Sequence, residues 1–177
     1  MKGFLHLKIF AIIWLSYTSF VIGECPCELE NEIVTCYTPF IVDMPSDFKN
    51  KCPEIFANAG DIKGLDIQDQ KMTEIKTKAF IDFPNVVVIA LSFNDIETIH
   101  VGAFDGLDLL THVSLDNNNI SQVPDGTFDN LVSLTRLDLS NNPIQNMTMR
   151  YLKMFLIYVK ITYHMINHSE CLCIVMF

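Results

Sequence analysis

The chain has 177 residues, enough for one domain or two small ones; half of the residues are hydrophobic and 19% are charged. This composition excludes an intrinsically disordered chain, which needs low hydrophobicity and high charge. The formal charge of −9 argues against a nucleic-acid partner, because contacts to phosphate need clustered lysine and arginine. The acidic residues are concentrated in residues 24–146, which contain 20 acidic and 7 basic residues.

Residues 1–23 have the pattern of a secretory signal peptide. Lys2 and Lys8 precede an apolar run over residues 9–15, and Gly23 is a small residue at the expected cleavage site. The run is too short for a transmembrane helix, which needs about 20 apolar residues. A buried core helix is the other interpretation. We expect cleavage after Gly23 and a mature chain in an oxidising compartment, where disulfides persist.

The next segment, residues 24–61, contains four of the six cysteines. They are Cys25, Cys27, Cys36 and Cys52. Four cysteines allow three pairings, and a Cys25–Cys27 bridge would close a strained small ring, so two nested or interleaved bridges remain. A zinc site is the competing interpretation. It is disfavoured because the segment lacks paired C-x-x-C units and follows a secretory signal.

Residues 56–144 repeat with a period of 24. A phenylalanine recurs as Phe56, Phe80, Phe104 and Phe128. Two aliphatic columns keep the same register and comprise Leu65, Ile89, Val113 and Leu137, then Ile67, Leu91, Leu115 and Leu139. Their alternation with other residues predicts a short strand in each unit with both columns pointing inward. One such strand cannot bury its apolar face alone, so successive units must stack.

A polar amide recurs in the same register. It is supplied by Gln70, Asn94, Asn118 and Asn142. Because an amide can both donate and accept, we expect the three asparagines to satisfy backbone groups inside the turn after each strand. Gln70 departs from this pattern and is expected to fit less well.

The third unit reads Leu110-x-x-Val113-x-Leu115-x-x-Asn118-x-Ile120-x-x-Val123, followed by Phe128. This pattern resembles the leucine-rich repeat, specifically the 24-residue extracellular class that includes Slit, Toll-type receptors and connectin. The resemblance covers about residues 38–147. It implies an α/β solenoid with a short parallel sheet on its concave side and an irregular convex side with a phenylalanine spine. We assign about four repeats to residues 62–146, the last incomplete.

The cysteine segment contains Val34-x-Cys36, then Ile41, then Met44-Pro45, and is similar to the N-terminal cysteine cap of extracellular leucine-rich repeat proteins. The exposed end of a solenoid presents unpaired strand and bare core, so it needs a cap. The usual further cysteine upstream is absent and Cys52 appears downstream, which leaves the disulfide pairing open.

The candidate ligand-binding residues are expected on the concave face, where positions between the inward columns form rows. They are Phe93, His112, Asp116, Arg136 and Asp138. Arg136 and Asp138 can bind a polar ligand or pair with each other, and an exposed Phe93 would suit an interface anchor. A merely solvated face is the alternative. No motif combines a nucleophile, a base and an orienting group, so we expect neither enzymatic activity nor a cofactor.

Three N-glycosylation sequons begin at Asn119, Asn146 and Asn167. Asn119 directly follows Asn118 in the repeat, and in this register it points to solvent. A register slip of one residue would bury it and prevent modification. We therefore expect a glycan on Asn119.

Residues 147–177 differ in character from the repeats, since most of them are apolar. Lys153 and Lys160 interrupt the stretch and argue against a transmembrane anchor. The tail also contains His164, His168, Cys171 and Cys173, a set that resembles a metal cluster, but we assign no metal to it. We interpret the tail as a truncated or non-homologous end that packs loosely over the last repeat.

The resemblance implies a secreted or cell-surface module that recognises a protein, or a glycan, without catalysis. We expect no nucleic-acid partner and no transmembrane span in this chain. A secreted enzyme inhibitor and a truncated fragment of a receptor ectodomain are the alternatives.

Overall fold

The computed structural model describes residues 25, 27–37, 44, 49–50, 52–147 and 158–160. The expected signal peptide lies outside the described residues. So do Asn167 and the histidines and cysteines of the tail.

The main sheet has seven strands, and it is the concave sheet that the repeats predict. Its strands are β1 (Cys27–Glu30), β2 (Ile33–Cys36), β3 (Gly64–Asp66), β5 (Val88–Ala90), β7 (His112–Ser114), β9 (Arg136–Asp138) and β11 (Tyr158–Lys160). They lie side by side in that order. Strands β1 and β2 form an antiparallel hairpin, and every later neighbour is parallel. The predicted parallel solenoid is confirmed.

Two smaller parallel sheets follow the turns of the solenoid. One pairs β4 (Glu74–Ile75) with β6 (Thr98–Ile99), and the other pairs β8 (Gln122–Val123) with β10 (Asn146–Met147). Helical structure in the described residues is short. It includes helical residues 49–50, α1 (Pro53–Phe56) and a 3₁₀ turn (Ala59–Asp61). Proline suits the start of α1, because its fixed φ is helical and its missing N–H is not needed there.

The aliphatic columns form the core between the concave sheet and the convex side. Leu65, Ile89, Val113 and Leu137 are direct neighbours across the sheet, and each is at most 1% exposed. Val34 of the cap pairs with Leu65 and continues the column into the hairpin. The cap and the repeats therefore share one hydrophobic core.

Three of the four predicted spine phenylalanines stack. The ring centroids of Phe80 and Phe104 are 5.7 Å apart, and those of Phe104 and Phe128 are 5.5 Å apart. Phe56 departs from this arrangement. It ends helix α1, is only partly buried, and meets the ring of Phe83 edge-on at 5.8 Å. The helical turn of the cap orients this ring differently from the turns that carry the other three.

The buried asparagines connect each unit to the one before it. The Nδ2 group of Asn118 donates to the carbonyl oxygens of Leu91 and Leu115, both at 3.0 Å, and its Oδ1 accepts from the backbone N–H of Ile96 at 3.1 Å. Asn94 and Asn142 make the equivalent bonds. We call this series the asparagine ladder.

Gln70 takes the first position of the same ladder and is 1% exposed. Its Nε2 group donates to the carbonyl oxygen of Gln68 at 3.0 Å and to that of Cys36 at 3.3 Å. The longer side chain thus reaches the last residue of β2 in the cap. Glutamine thus replaces asparagine at the ladder position whose preceding neighbour is the cap and not another repeat.

The four cap cysteines form two nested disulfides, Cys25–Cys52 and Cys27–Cys36. The second joins directly opposite residues of β1 and β2. The first ties the start of the chain's described part to the residue before helix α1. The cap hairpin is therefore cross-linked both internally and to the segment that leads into the first repeat.

Strand β11 extends the concave sheet beyond residue 146, where the sequence pattern of the repeats ends. Val159 pairs with Leu137, just as Leu137 pairs with Val113. The step along the chain from Leu137 to Val159 is shorter than the step from Val113 to Leu137. The shorter step explains why a search at the period of the repeats does not find this strand.

Replacement of a ladder residue tests the fold. We expect Asn118→Ala to lower the free energy of unfolding by about 1–3 kcal/mol, because buried backbone groups lose their partner. Asn130→Ala is the control, since Asn130 is exposed and its side chain donates to that of Asp105 at 3.1 Å. Urea denaturation should show near-equal midpoints for the wild type and the control. Equal stability of all three proteins would contradict the ladder's role.

Candidate functional site

The register of the sheet defines two rows of residues on its concave face. The first row consists of Glu30, Ile33, Gly64, Val88, His112 and Arg136. The second consists of Glu28, Thr35, Asp66, Ala90, Ser114 and Asp138. Just past the strands, a third row consists of Gln68, Ser92, Asp116 and Ser140. Together these three rows are the concave face.

The three aspartates of the concave face accept hydrogen bonds from uncharged neighbours. Asp116 accepts from the hydroxyl of Ser92 at 2.5 Å and from the Nδ2 group of Asn117 at 2.6 Å. Asp138 accepts from the hydroxyl of Ser140 at 2.5 Å, and Gln68 donates to Asp66 at 2.8 Å. These uncharged donors orient the carboxylates.

The predicted ligand-binding residues occupy different rows. His112 and Arg136 are direct neighbours in the first row, and Arg136 is exposed. Asp138 is two residues further along the same strand as Arg136, and Asp116 lies one unit away in the third row. The structure therefore places a guanidinium, an imidazole and two carboxylates on one face.

The hydrogen bonds on this face do not form a catalytic triad. In such a triad a histidine lies between the nucleophile and the carboxylate. Here the hydroxyl of Ser92 donates directly to Asp116, and the Nδ1 atom of His112 lies 2.7 Å from the hydroxyl of Thr111. The arrangement can recognise polar and cationic groups.

Phe93 is the most unusual residue of the site. Its side chain is 58% exposed, and its backbone φ is +57°. Residues at the same position of the other units have the same left-handed backbone, and they are Asp69, Asn117 and Asn141. Asparagine and aspartate tolerate this conformation, but it is strained for a bulky side chain. The chain thus holds a large apolar side chain in water at a position that favours a small polar one.

An apolar depression, which the sequence pattern did not predict, lies at the cap end of the concave face. It has a volume of about 510 Å³ and is lined by Asn31, Ile33, Lys63, Gly64, Leu65, Asp66, Val87, Val88 and Ala90. Gly64 and Val88 are separated by the 24-residue period of the repeats, but the repeat pattern gave no sign that Ile33 joins them. Ile33 belongs to the cap hairpin, which has no repeat register.

His100 lies outside the concave face. Its Nε2 atom is 3.0 Å from the carboxylate of Glu74, and Lys76 is 3.6 Å from the other oxygen of that group. The hydrogen bond with His100, followed by the charge of Lys76, lowers the pKa of Glu74. This cluster joins strands of a smaller sheet.

The cap cysteines offer no zinc ligands while they are paired. The sulfur atoms of Cys25, Cys27 and Cys52 lie within 4.8 Å of one another, a spacing that three metal ligands could have. Zinc binds the thiolate form of cysteine, whereas these sulfurs are in disulfides. Their role in this structure is covalent cross-linking.

Of the three sequon asparagines, Asn119 is exposed beside the buried Asn118. Asn146 begins strand β10. None of the helices in the described part of the chain combines the length and the hydrophobicity that a membrane span requires.

A family model described as "Leucine rich repeat" matches residues 60–120 and 108–153, which together are more than half of the chain. The chain therefore belongs to the leucine-rich repeat family. No curated protein matches it.

Two solved structures show the same fold. The first is the TLR13–ssRNA13 complex, with a TM-score of 0.66 and 22% identity, covering 79% of this chain and 20% of that chain. The second is the leucine-rich repeat domain of APL1B, with a TM-score of 0.59 and 21% identity, covering 89% of this chain and 42% of that chain. This chain spans less than half the length of either.

Replacement of the strained phenylalanine tests the site. We expect Phe93→Asn to raise the free energy of unfolding by about 1 kcal/mol, because asparagine tolerates the left-handed backbone. The reciprocal change Asn117→Phe should lower it. Denaturant midpoints of both variants measure the effect. A less stable Phe93→Asn variant would show that the phenyl ring contributes to the fold.

Proposed function

We propose that this leucine-rich repeat chain is a secreted, non-catalytic module that binds a protein ligand on its concave face. The observation that carries the proposal is Phe93, which directly follows Ser92 of the third row and so borders the concave face. A left-handed backbone and an exposed aromatic ring both oppose stability, and interface anchors are enriched in large aromatic residues. The ring makes no evident contribution to the fold, whereas it would contribute to a ligand-binding surface.

An extracellular location is supported by three independent features. The first is the signal-peptide pattern of residues 1–23. The second is the pair of disulfides in the cap, which persist in oxidising compartments. The third is the exposed sequon asparagine, Asn119. Within this proposal, the cap spans residues 24–61 and the repeats begin at residue 62.

The charge of the chain favours a ligand with a basic surface. The concave face carries carboxylates in every row, and the whole chain has 21 acidic and 12 basic residues. Opposite charge accelerates association and helps to exclude wrong partners. TLR13 is in complex with ssRNA13. We do not extend that ligand to this chain, because an acidic surface repels phosphate.

A charge exchange tests the concave face. The full chain is secreted from a eukaryotic host and used to capture its ligand from extracellular fluid. We expect the double variant Arg136→Glu/Asp138→Lys to capture much less ligand than the wild type. The control is Lys71→Asp/Asp95→Lys, which exchanges an exposed ion pair of 3.7 Å outside the three rows. Both variants keep the net charge.

Mass spectrometry identifies the captured partner, and circular dichroism checks the fold of each variant. Equal capture by the wild type and the Arg136/Asp138 variant would place binding elsewhere. A captured protease or glycosidase would favour the enzyme-inhibitor alternative. Capture that is lost after deglycosylation of the partner would identify a glycan as the ligand.

Glycosylation of Asn119 tests the proposed secretion. We expect the secreted chain to carry a glycan there, because the side chain is exposed and Ser121 completes the sequon. Peptide mapping before and after glycosidase treatment measures occupancy, and Ser121→Ala removes the acceptor sequence. An unoccupied Asn119 in secreted protein would contradict this expectation.

A further inference from the structure

Gly64 lines the apolar depression of the concave face. Gly64 lies in the first row between Ile33 and Val88. The next units carry Val88, His112 and Arg136 at the equivalent position, so the strand backbone accepts side chains there. A Cβ atom at Gly64 would lie 3.2 Å from the Cγ1 atom of Ile33. The side chain of Ile33 therefore covers the buried Gly64, and we call the depression that these two residues line together with Val88 the Gly64 pocket.

The walls of the Gly64 pocket are hydrophobic and open to solvent. Ile33 and Val88 are 46% and 42% exposed. Neither side chain belongs to the buried core, and both line the pocket. Burial of such apolar surface by a ligand is favourable, because it removes the surface from water.

The surroundings of the pocket are negatively charged. Glu30 is paired with Ile33, and Glu28 and Asp66 flank Thr35 in the next row. The hydroxyl of Tyr37 lies beside these groups. The pKa of Tyr37 is raised, first by partial desolvation and then by the charge of Glu28 and a hydrogen bond to it. The charges of Glu30 and Asp66 also raise this pKa. Lys63 also lines the pocket and supplies one positive charge against the three carboxylates.

We infer that the Gly64 pocket binds a single aliphatic or aromatic side chain of a protein ligand, and that a lysine or arginine of the same ligand segment lies against Glu28, Glu30 and Asp66. This inference rests on the proposed function and specifies its ligand. The apolar walls select the inserted side chain, and the carboxylates select its basic neighbour.

The openness of the pocket favours a protein segment over a free small molecule. Small-molecule sites bury most of the ligand surface, about 70–90% or more. Here the walls are nearly half exposed, and the pocket lies on an extended face. A side chain that projects from a larger surface needs only such a partial enclosure, because the surrounding contacts exclude water.

Selection from a peptide library tests this inference. The probe is a phage-displayed library of random 12-residue peptides, panned against the full chain secreted from a eukaryotic host. We expect enrichment of peptides in which a large apolar residue stands within two positions of lysine or arginine. Affinity of the synthesised peptides is then measured by isothermal titration calorimetry.

Two variants change the pocket in opposite ways. Gly64→Val introduces the side chain found at residue 88, which must displace Ile33 from its position over Gly64. Ile33→Ala/Val88→Ala instead removes the walls of the pocket without touching the buried core. Each should weaken peptide binding about tenfold or more. The control Val132→Ala, at a side chain that is 58% exposed and outside the three rows, should change affinity by less than about twofold. Thermal melting checks that all variants are folded.

Asp66→Asn tests the charge separately. It preserves the shape of the side chain, and it should weaken peptides that contain lysine or arginine but not versions in which the basic residue is glutamine. Exposed Glu97→Gln is the matched control. Enriched peptides without a basic residue would overturn the inference.

The remaining outcomes separate the pocket from the proposed function. Peptides that lose binding to Arg136→Glu/Asp138→Lys but bind both pocket variants normally would overturn the inference and leave concave recognition intact. A library that yields no peptide sensitive to any concave variant would overturn both. A wild-type chain that dimerises in sedimentation, while Gly64→Val stays monomeric, would identify a second copy as the occupant and also overturn the inference.

Discussion

The structure depends on the asparagine ladder, because its hydrogen bonds join the backbones of neighbouring units whose strands are only three residues long. Each ladder asparagine donates to a carbonyl of its own unit and to one of the preceding unit, and it accepts an N–H of that preceding unit. These bonds fix the spacing of the repeats. That spacing in turn brings the aliphatic columns into contact and stacks Phe80, Phe104 and Phe128. The concave face is the solvent side of the sheet that this spacing creates.

Most of this fold could be predicted from the sequence because every repeat obeys the same physical constraint. Inward positions must be apolar, and the ladder position must both donate and accept, so the same residue types recur in every unit. The parallel sheet, the buried columns and the exposed position of Asn119 follow from that register alone. The rows of the concave face follow as well, since they lie between the inward columns.

The structural features that could not be predicted lie where the 24-residue spacing of the repeats is not kept. Ile33 enters the first row from a hairpin with its own register, and β11 follows β9 after a shorter step along the chain than separates the strands of the repeats. Phe56 ends a helical turn and does not stack with the spine. The disulfide pairing depends on which strands of the cap become neighbours, and cysteine spacing does not determine this. The left-handed backbone of Phe93 did have a signal, because Asp69, Asn117 and Asn141 occupy its column.

In a repeat protein some positions maintain the scaffold and others are free to vary. Two of the variable positions in this chain, Gly64 and Phe93, carry a residue that differs in type from its equivalents in the other units. A glycine stands in a row where later units carry valine, histidine and arginine, and a phenylalanine stands in a column of aspartate and asparagine. Both changes leave the core, the ladder and the spine untouched. The phenylalanine even opposes stability, since a left-handed backbone costs a bulky residue roughly 1–2 kcal/mol. Departures that the scaffold does not require, located on or directly beside the concave face, support our proposal that this face binds a ligand.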